Sequence, residues 1–174
     1  MAEALLRERL RERGVDASVA SAGLSFDGRA ATTEAIEAAA RHNVDINAHR
    51  SRVVTAELIE RADLVLAMER MHAREAVVLA DGALARTFTL KELVRRGRAE
   101  GGRRRDETLV DWLTRVSADR RAADLMGAAP DDDVADPYLS SAKAYVACID
   151  ELDQLVRQLV DLAWPRARQE EGAA

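Results

Sequence analysis

Asp131-Asp132-Asp133-Val134-Ala135-Asp136-Pro137-Tyr138 gathers four carboxylates, a proline and a tyrosine in one short stretch. Proline fixes its own φ and pushes the residue before it out of the helical region. Asp136 is thereby held extended, just ahead of the longest amphipathic run in the chain. A loop carboxylic acid placed beside an anionic ester is suited to protonating a leaving oxygen, which is general acid catalysis. Asp-Pro is equally a common turn signal, and Asp132, Asp133 and Asp136 all suit turn and cap positions. Spacing alone leaves both readings open.

The other reactive residue types offer less. Cys148 is the single cysteine. It lies in Tyr145-Val-Ala-Cys-Ile-Asp-Glu-Leu152, where Tyr145, Cys148, Ile149, Leu152, Leu155, Val156 and Leu159 recur at helical spacing. Activated thiolates favour helix N-termini or cationic neighbours, so a mid-helix cysteine on a core stripe reads as inert. His42, His49 and His72 have no metal-ligand spacing with one another or with Cys148, and zinc needs three or four convergent ligands. No metal or cofactor is expected. Lys91 to Arg105 holds seven Lys/Arg (91, 95, 96, 98, 103, 104, 105) against Glu92 and Glu100, a net of +5. That run could meet an anionic partner, but without aromatic stacking residues a solvated helix face is the expectation. No glycine-rich phosphate loop of the GxGxxG or Walker type occurs, so nucleotide binding has no support.

The elements that must position these residues follow from pattern. Met1 to Arg13 is helical from its first residue, with Leu5, Leu6 and Leu10 as an apolar stripe and Gly14 as its stop. No Ser, Thr, Asp or Asn caps it, so it opens on unsatisfied amides. Val15 to Gly23 reads as a short strand, Ala31 to His42 as a helix, and Thr55 as the cap of a helix over Ala56 to Arg61. Asp63-Leu-Val-Leu-Ala-Met68 is a continuous apolar run of the kind buried in parallel sheets. A helix over Glu69 to Ala80, a strand over Arg86 to Leu90, and helices over Lys91 to Arg98 and Asp111 to Arg120 follow. Ser140 or Ser141 caps the last helix, which Pro165 ends near Trp164. Strands alternating with helices predict an α/β fold with a parallel sheet. Three strands are few for such a sheet.

A length of 174 residues is one domain by the usual prior. We expect a domain over residues 1–164 and a disordered tail over 165–174. Hydrophobic residues make up 48%, much of it alanine, aromatics 3%, and the net charge is −5. That balance argues against general affinity for nucleic acid or anionic membranes. A lone cysteine, no signal-peptide pattern and no membrane-length apolar run lead to the expectation of a cytoplasmic protein.

Met1-Ala-Glu-Ala-Leu-Leu, Ser21-Ala-Gly23, Ala48-His49-Arg50-Ser51-Arg52, Ala62-Asp-Leu-Val-Leu-Ala-Met68 and Asp136-Pro137-Tyr138, in that order and spacing, resemble a low-molecular-weight protein tyrosine phosphatase. The resemblance extends nearly to Trp164, with Arg86 to Arg120 longer than in compact members, as in an actinobacterial-type variant. It implies a doubly wound parallel sheet in a three-layer α/β/α fold. It also implies hydrolysis of aryl phosphomonoesters, on a phosphotyrosine protein or a small aryl phosphate, through a phosphocysteine. Asp136 matches the general acid, Tyr138 and Phe26 the aromatic wall of the cleft. Ser21 and His49 match residues that hydrogen-bond the nucleophile loop through its asparagine.

In that family a Cys-x5-Arg-Ser-Pro loop, fed by the central first strand, directly precedes the segment matching Met1-Ala-Glu-Ala-Leu. Its amides, arginine and helix N-terminus bind phosphate and lower the cysteine pKa. Strand, cysteine and arginine are absent from these residues, so the chain as given is expected to be inactive. The expectation is a true start upstream of Met1, because Asp136, Ser21 and His49 serve only that loop or its chemistry. A non-catalytic pseudophosphatase acting as a binding or regulatory protein is the alternative. Arsenate reduction on the same fold would need further cysteines.

Overall fold

The structure, a computed structural model, describes residues 1–127 and 130–166. Helix α1 (Ala2–Arg13) has Met1 at its N-cap without a side-chain hydrogen bond and ends at Gly14, whose φ of 72° is left-handed. Such a turn suits glycine because no Cβ meets the carbonyl. Helices α2 (Thr33–Ala40) and α3 (Ala56–Glu60) are capped by Thr32 and Thr55, whose hydroxyls accept from Ala35 and Leu58 amides. Strand β1 (Val65–Ala67) leads into α4 (Arg70–Leu79), and β2 (Thr87–Thr89) into α5 (Leu90–Glu100). Helix α6 (Leu109–Val116) opens on a reciprocal Thr108–Asp111 capping box. Helix α7 (Ala142–Ala163) starts at Ser141, whose hydroxyl accepts from the Ala144 amide. Residues 167–174 of the expected tail lie outside the described residues.

β1 and β2 pair in parallel, with Val65 opposite Thr87, Leu66 opposite Phe88 and Ala67 opposite Thr89. Successive strand side chains point to opposite faces, and here both faces carry packed neighbours, although Val65 and Leu66 stay partly exposed. Leu64, Leu66 and Met68 pack on the large core made with α1, α2, α5, α6 and α7. Val65 and Ala67 join the smaller clusters under α3 and α4. Helices on both faces of a parallel sheet make a three-layer α/β/α arrangement, as the family resemblance implies.

One expected strand is not there. Val15 to Gly23 is extended but has no ladder; only Gly23 bridges, in parallel, to Val53. Two of its carbonyls go to side chains instead: Arg7 donates to Val19 at 2.9 Å and Arg52 to Ser21 at 2.7 Å. A strand needs a neighbouring strand to take up its amides, and among the described residues β1 and β2 pair only with each other. The last short helix is also displaced. Expected over Asp111 to Arg120, it begins at Leu109 and stops before Ser117.

Candidate active site

The acidic loop is built from its charged residues upward. Pro130–Asp132 forms a short 3₁₀ turn in which Asp132 is buried. Its carboxylate accepts from Arg70 Nη2 and Arg95 Nη2, both at 3.0 Å. Asp133 Oδ1 accepts the backbone amide of Arg70 at 2.7 Å. It thereby caps α4, whose own N-cap residue, Glu69, makes no side-chain cap bond. Lys91 Nζ donates to the Asp133 carbonyl at 2.7 Å, and the Val134 amide to the Met68 carbonyl at 2.8 Å. That last bond seats the loop at the C-terminal end of β1. Open parallel sheets bind their ligands outside the C-terminal ends of their strands.

Asp136 is exposed, and its Oδ1 accepts the Tyr138 amide at 2.9 Å while Pro137 is buried beneath it. This Asx turn fixes the direction in which the carboxyl is displayed. Tyr138 and Phe26 meet with ring centroids 6.5 Å apart and planes inclined at 51°. Both rings stay half exposed, at 47% and 43%. The fold thus joins two loops more than a hundred residues apart in sequence into one wall, with Asp136 at its edge. The guanidinium of Arg29 lies 3.8 Å over the Phe26 ring.

Ser21 and His49 also converge, on Glu3 of α1. Ser21 Oγ donates to Glu3 Oε2, and His49 Nδ1 lies 3.8 Å from the same oxygen. Burial pushes the Glu3 carboxyl up, but hydrogen bonds from Ser21 and Arg7 outweigh it, and its pKa lies below the ordinary carboxylate value. The first turn of α1 and the two segments carrying Ser21 and His49 are therefore held together at one acid.

Cys148 is buried on α7, and its thiol pKa is raised, by burial first and by Glu151 next. A buried protonated thiol is a poor nucleophile. Among the described residues no group of His, Cys, Asp and Glu gathers as a metal site. The basic run is not the freely solvated face expected of it. Lys91 pairs with Glu151 at 2.8 Å, Arg95 with Asp132 at 3.0 Å, and Arg96 with Glu92 and Asp119 at 3.0 and 2.7 Å. Arg103 donates to the carbonyls of Ala163 and Glu107. These cations join α5 to its neighbours. A cavity of about 320 Å³ between α1, α2 and α7 is lined by Arg9, His42 and Arg157 among others. It shares no residue with the Asp136 loop.

Two residues of the site had escaped the sequence reading. Glu3 stands inside Met1-Ala-Glu-Ala, so its role was within reach of the motif. Arg29 sits in an unpatterned loop, and no sequence signal marks its place over Phe26.

Comparison with known proteins agrees with this architecture. The sequence model for low molecular weight phosphotyrosine protein phosphatase matches residues 1–103. The protein-arginine-phosphatase of Bacillus subtilis is 32% identical over 163 residues, 91% of this chain and 84% of the relative. A match that long includes the Asp136 loop, which lies beyond the family model. A probable low molecular weight protein-tyrosine-phosphatase, EpsP, from Ralstonia solanacearum is 39% identical over 94 residues. That alignment spans 53% of this chain and 62% of EpsP. Among solved structures, a YwlE mutant from Bacillus subtilis superposes with a TM-score of 0.67 at 30% identity, covering 92% of this chain and 86% of its own. A low molecular weight protein tyrosine phosphatase from T. tengcongensis gives 0.68 at 26%, covering 92% and 87%. Sequence and fold agree on the assignment: this chain belongs to the low molecular weight phosphotyrosine protein phosphatase family.

Proposed function

We propose that this chain carries the acid loop and substrate wall of a hydrolase for aryl phosphomonoesters, with Asp136 as general acid. The observation that supports it is the joining of Asp136, Tyr138 and Phe26 at the C-terminal end of β1. A phenyl ring seated on the two exposed rings would gain edge-to-face contact of about 0.5–1.5 kcal/mol. Its ester oxygen would then be presented to the Asp136 carboxyl.

The reaction needs a nucleophile, and Cys148 is buried, with its thiol pKa pushed up by that burial. The reading therefore applies to a polypeptide in which a Cys-x5-Arg-Ser loop leads into α1. There the thiolate attacks phosphorus, the P–O bond to the phenol breaks, and Asp136 gives its proton to the leaving oxygen. In the second step the Asp136 carboxylate takes a proton from the water that displaces the cysteine from phosphorus. Within this reading Tyr138 and Phe26 bind the aryl group, while Ser21 and His49 hold the start of α1 through Glu3. No cofactor or metal enters these steps.

The test compares the 174-residue chain with a form in which such a strand and loop are fused ahead of Met1. Phenyl phosphate hydrolysis is expected from the fused form alone. A well-folded fused form without activity would leave the pseudophosphatase, a binding protein that keeps the wall and has lost the chemistry. A second substrate class is favoured by one finding, the match over 91% of the chain to a protein-arginine-phosphatase. Turnover of a phosphoarginine peptide above that of its phosphotyrosine counterpart by the fused form would move the assignment to that class.

A further inference from the structure

Beside the Phe26–Tyr138 wall, Ser51 is laced to the Phe26 loop by backbone. Its amide donates to the Arg29 carbonyl and its carbonyl accepts from Gly28, both at 2.8 Å. Its hydroxyl accepts from the Arg29 amide at 3.0 Å. Ala30 and Arg50 form an antiparallel bridge. This lacing sets the backbone of Arg29 beside that of residues 50–52, and Arg29, Arg50 and Arg52 are all exposed.

None of the three meets a carboxylate among the described residues. Arg29 lies over Phe26, Arg50 donates to the carbonyls of Asn47 and His49, and Arg52 donates to that of Ser21. Asp27 is the one acid in residues 21–30, and residues 46–54 have none. Arg9, Arg70, Arg95, Arg96, Arg115 and Arg120, by contrast, are all ion-paired. In a molecule of net charge −5, these arginines put positive charge on the surface beside the Phe26–Tyr138 wall. Guanidinium groups held by carbonyls keep their full charge and their remaining N–H donors, which fit carboxylates.

We propose that Arg29, Arg50 and Arg52 form a docking collar for acidic residues flanking the phosphorylated side chain of a protein substrate. The proposal rests on the reading of the adjoining cleft as a phosphoester site. It adds the substrate class: phosphoproteins modified within Asp/Glu-rich segments. A small aryl phosphate on the wall of Phe26 and Tyr138 meets only Arg29 of the collar, whose guanidinium lies 3.8 Å over the Phe26 ring. An extended acidic peptide engages both.

The test has two arms. In the first, the 174-residue chain, its fold checked by circular dichroism, is titrated against a fluorescein-labelled tyrosine peptide flanked by three Glu on each side. The same peptide with Gln in place of Glu is the reference. Rim charges in a surface patch act modestly and are screened by salt. The acidic peptide should bind about tenfold tighter at low salt, with the gap closing by about 0.3 M salt. Arg29→Gln and Arg50→Gln should each narrow the gap about threefold, whereas Arg29→Lys should restore most of it. Equal binding of the two peptides overturns the collar, as does a preference that neither Gln variant changes. A uridine oligonucleotide of equal charge that displaces the acidic peptide as well as the peptide itself overturns it too, since the patch would then be a generic polyanion surface.

The second arm uses the fused form and the ratio of kcat/KM for the phosphotyrosine versions of the two peptides. A ratio of about ten that falls towards one in Arg50→Gln supports the collar, and a ratio of one in the parent protein removes it. Loss of phenyl phosphate turnover with the peptide preference intact would sink the hydrolase and leave the collar standing.

Discussion

Asp136, Asp133 and Asp132 lie within five residues of one another and are chemically identical, yet the fold gives them three different surroundings. Asp132 is buried between Arg70 and Arg95, Asp133 caps α4, and Asp136 is displayed in the open beside two aromatic rings. In the fused, active form, Asp136→Asn should cut turnover of phenyl phosphate by about 10²–10⁴-fold, roughly 3–5 kcal/mol of barrier. The loss should shrink for phenols acidic enough to leave without a proton. Asp133→Asn should cost far less activity, and rates across a series of leaving groups decide the matter. A larger loss from Asp133→Asn with the fold intact would reassign the acid. Cys148 makes the complementary case. Cys148→Ala should leave the fused form's turnover within about twofold. Its melting point should fall, because removing the buried sulfur takes away apolar burial of about 1 kcal/mol. Asp136, Tyr138 and Phe26 were legible in the sequence as candidates, because a short motif and a familiar order carried them. Their contact was not, because nothing local in residues 24–29 signals a partner at Tyr138.

At the scale of elements, what was local was legible and what was distant was not. Gly14 ends α1, and Thr55 and Ser141 cap α3 and α7, each through partners within four residues. Helix α4 takes its cap from Asp133, across 63 residues, and no window of sequence could show that. The run Lys91 to Arg105 misleads for the same reason, since Asp119 just past α6, Glu151 of α7 and Asp132 of the acidic loop reach it from a distance. A separate pair, Arg115 with Glu107, gives the segment between α5 and α6 a pH dependence. Arg115 donates to both Glu107 oxygens at 2.8 and 2.9 Å, and the Arg104 amide adds a bond at 2.9 Å. The Arg115 bonds first, and that amide second, lower the Glu107 pKa from 4.5 to about 2. A carboxyl whose folded pKa is depressed stabilises the fold fully above its unfolded pKa, and the effect fades as pH falls through the folded value. Melting points of the parent and Glu107→Gln should therefore differ at pH 7 and converge between about pH 4.5 and 2. A constant gap over that window would mean that the ion pair is not what the substitution removed. Gly97 of α5 supplies a packing test. A Cβ there would lie 3.0 Å from Trp112 Cζ2 and 3.1 Å from Leu162 Cδ1. The Trp112 ring is fully buried and pinned by its Nε1–H bond to the Gly101 carbonyl. Alanine normally gains about 1 kcal/mol over glycine in a helix, but overpacking costs about 1–3 kcal/mol. Gly97→Ala should lower stability by about 1 kcal/mol in urea unfolding, and a rise would show that Trp112 can give way.

The whole molecule has an imbalance that the individual helices hide. Helices α1, α2, α5, α6 and α7 build a large common core, yet the sheet beneath them has two strands of three residues each. Only one edge of β1 is taken by β2; its other edge has no strand partner among the described residues. Leu64 and Leu66, on the face turned to the large core, are only partly buried although they come from a run as apolar as any fully covered strand. Unpaired strand amides beside incompletely covered leucines form a template for another chain. They also leave backbone groups to be satisfied by water next to the core. We therefore expect the 174-residue chain by itself to unfold over a broad range, to bind a hydrophobic dye, and to self-associate as its concentration rises. Fusing an apolar strand and phosphate loop ahead of Met1 should sharpen the transition and raise its midpoint. It should also abolish dye binding, since a strand laid along β1 would pair its amides and cover Leu64 and Leu66 together. Differential scanning calorimetry of the two forms at several concentrations is the measurement. A single sharp, concentration-independent transition for the 174-residue chain would show that α1 and α7 close the core without help from the sheet. The extended stretch Val15 to Ala20 would then be a finished surface segment, with no strand to wait for.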